Sequence, residues 1–101
     1  MLTQSTQAGE RTQSVAEFSE EQFTRRRKDY IQSTLQILAS ELETEEDTRN
    51  RLADRMAQNQ KLQTSEERLN DGFSIIYGDL RQSEYRVEKL REAISALKTI
   101  I

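Results

Sequence analysis

The sequence predicts an all-α protein whose long helices form a coiled coil. Three observations lead to this fold class. Charged residues make up 33% of the 101 residues and apolar residues only 34%, which leaves little material for a compact core. Proline is absent and residue types that favour helices are abundant. Apolar residues recur at alternating spacings of four and three, which is the pattern of a heptad seam.

The first 17 residues are rich in Gln, Thr and Ser, and we expect them to form a flexible polar leader. The helical coiled-coil segment then covers residues 18–101. Ser19 and Gln22 have the spacing of a capping box, and Phe18 and Phe23 have that of a hydrophobic staple, so both pairs predict a helix start here. At its longest, the segment is one near-continuous helix from about residue 20 to residue 100.

The N-terminal half of this segment carries an interrupted seam. Its apolar core positions, a and d of the heptad, are Ile31, Leu35, Leu38, Leu42, Leu52 and Met56. The same frame also places Glu45 and Arg49 in the seam. These two polar residues either pair with each other or with a partner chain, or they mark a loosened and solvated stretch.

The C-terminal half carries a better kept seam in a second frame. The residues that we predict to form this interface seam are Leu62, Leu69, Phe73, Ile76, Leu80, Val87, Leu90, Ile94 and Leu97. Asn59 and Glu66 fall at a positions of the same frame, as a polar core that costs stability and sets register or partner choice. A different chain could supply their complementary groups, so a hetero-oligomer is favoured over a homo-oligomer.

The two frames differ by a three-residue shift near residues 56–62. Such a shift overwinds a continuous supercoil locally, or it marks a change of partner or a break in the helix. The sequence leaves these alternatives open.

Gly72 is the second point at which the sequence allows two interpretations. It either ends a helix, so that the chain folds back, or it lies within a continuous helix. Continuity is favoured because Leu69, Phe73 and Ile76 keep the heptad phase across the glycine. Gly72 would then lie beside the seam as a close-packing site, and the apolar surface near it would suit three or more helices.

The absence of Cys and His excludes much chemistry. Without them the chain lacks the usual ligands of zinc and transition metals and the commonest general base. No nucleophile has a base next to it in the sequence, and no glycine-rich phosphate loop is present. We therefore expect no enzymatic activity, no metal and no cofactor.

Charge and hydropathy restrict the partners. The net charge of −3 disfavours nucleic acid, whose binding proteins are more often strongly basic. No apolar run has the length of a signal peptide or a transmembrane helix. We expect a cytoplasmic protein whose membrane association is at most peripheral and mediated by its partners.

One stretch resembles a known family. The run from Leu62 through Ser65-Glu66-Glu67 and Leu69 to Gly72, followed by the apolar heptads up to Lys98, is similar to the coiled-coil stalk of the ubiquitin-binding subunit of the ESCRT-I endosomal sorting complex. The resemblance implies a stalk segment packed against helices of other subunits, with an endosomal role in protein transport. Coiled-coil segments of nuclear-pore channel proteins show comparable patterns.

Two functions follow from these patterns. The first is a non-catalytic coiled-coil scaffold subunit that assembles with other protein helices in a larger complex. The alternative is a small helical-bundle adaptor or chaperone that turns near residues 44–51 and at Gly72 and masks a surface of its partner.

Overall fold

The computed structural model of the chain contains three helices, α1 (Leu2–Gln60), α2 (Ser65–Asn70) and α3 (Phe73–Thr99). The structure describes the backbone of residues 2–101 and the side chains from residue 19 onwards. Over this backbone it contains no strand. The predicted all-α fold class, with long helices carrying heptad seams, is confirmed.

The chain divides into two units, one of residues 1–34 together with Ile101 and one of residues 35–100. In the first unit, α1 runs through Ser19, so this residue lies inside a helix instead of capping its start. Phe18, the other end of the predicted staple, lies outside the described side chains. The flexibility of the first 17 residues stays a prediction. Two large apolar side chains of this unit, those of Phe23 and Tyr30, are 68% and 74% exposed.

The second unit is an antiparallel helical hairpin, which we call the hairpin (residues 35–100). Its direction follows from contacts between α1 and the later residues. Glu45 contacts Ser83, whereas Asn59, which lies later in α1, contacts Arg68, which lies before Ser83. The two parts of the chain therefore run in opposite directions. Helices joined by a short connection pack in this way as neighbours.

The heptad frames predicted from the sequence describe the packed faces of both helices. In α1 of the hairpin, every a and d position is buried or partly buried, namely Leu35, Leu38, Leu42, Glu45, Arg49, Leu52, Met56 and Asn59. In α3 the same holds for Phe73, Ile76, Leu80, Ser83, Val87, Leu90, Ile94 and Leu97. The two frames therefore belong to two helices of one chain that face each other.

The interpretation as one near-continuous helix is wrong, because the helical backbone is interrupted at residues 61–64 and again at residues 71–72. The first interruption lies at the predicted phase shift, which is therefore a helix break. The second lies at Gly72, which has a left-handed φ of 96° and precedes the first residue of α3. The chain turns at Gly72 instead of continuing through it.

Local hydrogen bonds explain the helix boundaries in the turn. Thr64 is the N-cap of α2, and its hydroxyl accepts a hydrogen bond from the amide of Glu67 at 3.1 Å. Arg68 Nε donates to the carbonyl of Leu62 at 3.0 Å, which links α2 to the residues before it. At the other end of α2, the amide of Gly72 donates to the carbonyl of Leu69 at 3.0 Å.

Candidate helix-docking surface

The predicted interface seam divides into two parts in the structure. Its members on α3 lie on the packed face of the hairpin, and Ile76 and Val87 are 8% and 2% exposed. Leu62 is partly buried in the turn. Leu69 is 60% exposed, because it belongs to α2, which Gly72 separates from α3. The second heptad frame therefore describes packing within the chain only from Phe73 onwards.

The two residues predicted as a polar core have different surroundings. Glu66 is exposed on the first turn of α2. Asn59 is fully buried, and its side-chain amide donates to the carbonyl of Arg68 at 2.9 Å and to Asp71 Oδ2 at 3.1 Å. The groups that accept from its amide nitrogen thus lie in the same chain, while its Oδ1 has no hydrogen-bond partner among the described residues.

Asp71 is the centre of the polar cluster that closes the turn. Its carboxylate accepts two hydrogen bonds from the guanidinium of Arg55, at 2.7 and 2.8 Å, and a third from Asn59. The hydrogen bonds from Arg55, together with the one from Asn59, hold the pKa of Asp71 below its usual value. The same contact raises the pKa of Arg55. This cluster ties the end of α1 to the start of α3.

Gly72 does not act as a close-packing site in the described part of the chain. A side chain placed there would meet no atom within 4 Å. The physical reason for the glycine is its left-handed backbone, which other residues adopt only at a cost. Within the chain Gly72 therefore forms a turn, and the close approach of a helix from another chain stays a prediction.

A groove runs along one flank of the hairpin, and we call it the Tyr85 groove. Its walls are Ser40, Glu41, Thr44 and Glu45 on α1 and Tyr85, Arg86, Lys89 and Leu90 on α3. Tyr85 is 60% exposed, while Leu90, on the same wall of the groove, is partly buried in the seam. The Lys89 ammonium lies 5.3 Å from the centre of the Tyr85 ring and 3.2 Å from Glu92.

The opposite flank has a second groove, which we call the Arg49 groove. Its walls are Arg49 and Ala53 on α1 and Leu80, Glu84, Val87, Glu88, Arg91 and Glu92 on α3. Arg91 also lies 3.5 Å from Glu46 across the two helices. Charged residues line most of this groove, whereas an exposed aromatic ring marks the Tyr85 groove. This exposed aromatic residue distinguishes the Tyr85 groove as the candidate docking site.

Two findings limit the chemistry of the described residues. Among the side chains from residue 19 onwards, no group of three Asp or Glu residues is placed to hold a metal ion. No described helix combines the length and the apolar character needed to cross a membrane.

Comparison with known proteins returns no match to a family model, to a curated protein or to a solved structure. The fold itself defines residues 35–100 as an all-α helical hairpin with heptad seams.

Several residues that shape this surface are not predicted by the heptad frames. Thr64 and Glu67 have the spacing of a capping box, which could have indicated the helix start after the break. The pairing of Arg55 with Asp71 has no signal in the sequence, because the two residues are sixteen positions apart and meet only after the chain turns. Tyr85 lies at an outer heptad position and is recognisable only once the groove is defined.

Proposed function

We propose that this chain is a non-catalytic interaction module whose hairpin packs against another protein helix in the Tyr85 groove. The observation that carries the proposal is the exposed Tyr85 in a groove that the partly buried Leu90 also lines. An exposed aromatic side chain in a groove between two helices is typical of surfaces that receive a partner helix.

The incomplete burial of the seam supports the same proposal. Of its core positions in the hairpin, only Asn59, Ile76, Ser83 and Val87 are buried, and two of these are polar. The other positions keep part of their surface open because only two helices cover them. A third or fourth helix along the flank would cover this surface and add apolar burial, which stabilises an assembly by about 25 cal/mol per Å².

The narrower proposal is a role in endosomal sorting and protein transport, with cytoplasmic and endosome-associated location. Only the resemblance of residues 62–98 to the stalk of an endosomal sorting subunit supports it. The helix-docking proposal does not depend on that resemblance.

The alternative function, a small adaptor or chaperone that masks a partner surface, is favoured by the turn at Gly72, because the chain folds back there as such a protein requires. The turn expected near residues 44–51 is absent, since α1 is helical throughout them. An adaptor of this kind would use the same Tyr85 groove.

Site-specific photo-cross-linking tests the docking surface. A photoreactive phenylalanine derivative replaces Tyr85 in the full chain, and a matched control carries it at Glu88 in the Arg49 groove. We expect cross-links from position 85 to one helical segment, identified by mass spectrometry of the joined peptides, and few from position 88. Equal cross-linking from both positions, or none from position 85, would contradict the proposal.

A further inference from the structure

We propose that the occupant of the Tyr85 groove is the same groove of a second copy of this chain, so that two hairpins form a two-fold symmetric four-helix bundle. This inference rests on the proposed function and names the partner. Four observations carry it: the charges of the two groove walls, the level of these charges along the hairpin, the exposed apolar side chains beside them, and the hydrogen bonds that the Asn59 amide nitrogen makes within one chain.

The charges of the Tyr85 groove are separated by wall. The α1 wall carries Glu41 and Glu45, and the α3 wall carries Arg86 and Lys89. Glu45 is already engaged within the chain, with Ser83 at 2.9 Å and Arg86 at 3.6 Å. Two charges are best placed to meet a partner, those of Glu41 and Lys89. Glu41 lies at the rim of the groove, and Lys89 contacts Glu92 and the Tyr85 ring.

The level of these charges along the hairpin makes them complementary to a second copy. Glu45 lies level with Ser83, as their hydrogen bond shows. Because the helices are antiparallel and rise about 1.5 Å per residue, Glu41 lies about level with residues 86–89 of α3. The acidic and the basic wall are thus at the same height.

A two-fold axis parallel to the helices keeps every residue at its height and exchanges the walls. It stacks α1 of one copy on α3 of the other, with all neighbouring helices antiparallel, as in up-down four-helix bundles. Glu41 of each copy then faces Arg86 and Lys89 of the other, and the contact occurs twice.

The apolar groups fit the same arrangement. Ile37 is 59% exposed and lies one turn before Glu41 on α1, so it is about level with Leu90. Two-fold stacking would place Ile37 near Leu90 of the second copy and Tyr85 over the α1 wall of that copy. Both exposed side chains would be covered by one contact.

A chemically different partner is not required by the polar seam. The preference for a hetero-oligomer depends on Asn59 and Glu66 taking complementary groups from another chain. Asn59 instead bonds to Arg68 and Asp71, and Glu66 is exposed. The core of one chain is therefore compatible with a homodimer.

The test uses charge reversal and mixing of full-length chains. Wild type should sediment at twice the 11.8 kDa of one chain. Glu41→Lys makes the groove charges basic and Lys89→Glu makes them more acidic, so each variant alone should dimerise about tenfold more weakly or worse. An equimolar mixture of the two should recover dimers. In the mixed dimer, one contact pairs the introduced lysine with the introduced glutamate, and the other keeps the native pair of Glu41 and Lys89.

The mixture separates contacts between chains from contacts within one chain. Mixing leaves every internal contact of each variant unchanged, so recovery requires an intermolecular pair. Glu88→Lys, on the wall of the Arg49 groove, is the matched control and should dimerise like wild type. Helicity of all variants by circular dichroism checks that the hairpin is folded.

Three results would overturn the proposal: a monomeric wild type, variants that do not recover on mixing, or an equal loss in Glu88→Lys. A monomeric wild type whose position 85 still cross-links to a helix of another protein would reject the second copy and keep the docking function. A monomer without such cross-links would reject both.

Discussion

Ser83 Oγ on α3 donates a hydrogen bond of 2.9 Å to Glu45 Oε1 on α1, and both residues occupy core positions of the heptad seam. Ser83 is 1% exposed, and the Glu45 side chain is 19% exposed. Each residue interrupts the apolar row of its own helix, and the two interruptions meet. A polar pair of this kind fixes the register of two helices, because any slip along the seam places one group against apolar side chains.

Ser83→Ala tests the strength of this pair. The substitution removes the donor and leaves the Glu45 carboxylate with Arg86 and partial solvent contact. Hydrogen bonds to charged groups contribute about 1.5–3 kcal/mol to stability. Alanine offsets a few tenths of a kcal/mol of this loss, because its helix propensity is higher than that of serine. We expect a net loss of about 1–2 kcal/mol in the free energy of unfolding, measured by urea titration. Gln82→Ala, at an exposed neighbouring position, is the control and should change little.

Replacing both members of the pair should have the opposite effect on stability. Glu45→Leu combined with Ser83→Leu gives two apolar core residues and removes the cost of burying a carboxylate. Such exchanges of a buried polar pair are often neutral or stabilising by about 1–4 kcal/mol. We expect the double variant to unfold at a urea concentration equal to or above that of wild type. A large loss of stability would mean that the site has no room for two leucines.

The periodicity of apolar residues predicts which face of each helix is covered. The a and d positions from Leu35 to Met56 and from Phe73 to Leu97 are buried or partly buried, because side-chain spacing alone decides which helical face is covered. The partner of each face is not predictable in this way. Heptad positions do not distinguish a helix of the same chain from one of another chain.

The turn explains why the heptad pattern did not predict how the chain folds between α1 and α3. The second frame continues backwards through Leu69 to Leu62 only because apolar residues happen to keep the phase, and the backbone breaks at residues 61–64 regardless. The break is stabilised by contacts between distant residues, such as that of Asn59 with the carbonyl of Arg68. A pattern of local spacings contains no information on such contacts.

The stability of the turn should depend on pH through Asp71. Its pKa is lowered in the folded chain by hydrogen bonds from Arg55 and Asn59, so its contribution is fully present above the usual carboxyl pKa and is lost as the pH falls through the lowered value. Asp71→Asn removes this dependence. We therefore expect the stability difference between wild type and variant to be constant near neutral pH and to shrink in acid. A difference that stays constant into strong acid would contradict this assignment.

The two glycines of α3 and its cap should respond oppositely to alanine. Gly72 has a φ of 96°, so Gly72→Ala forces a left-handed alanine and should cost roughly 1–2 kcal/mol. Gly78 lies inside α3, and a side chain there meets nothing within 4 Å. Gly78→Ala should therefore stabilise the hairpin by up to about 1 kcal/mol. Thermal unfolding of both variants measures the signs, and a loss at position 78 would indicate a contact of the glycine with another chain.

Aspartate substitutions at two positions of the predicted seam distinguish what the heptad frame predicts from what the folded hairpin predicts. The frame alone treats Leu69 and Ile76 as equivalent, but Leu69 is 60% exposed and Ile76 is 8% exposed. Ile76→Asp places an uncompensated charge in the packed face and should cost about 3–4 kcal/mol, enough to unfold a marginally stable hairpin. Leu69→Asp should cost at most about 1 kcal/mol, mainly through its position near the C-terminus of α2. Urea unfolding followed by circular dichroism distinguishes the two, and equal losses at both positions would mean that Leu69 is covered by a partner helix in solution.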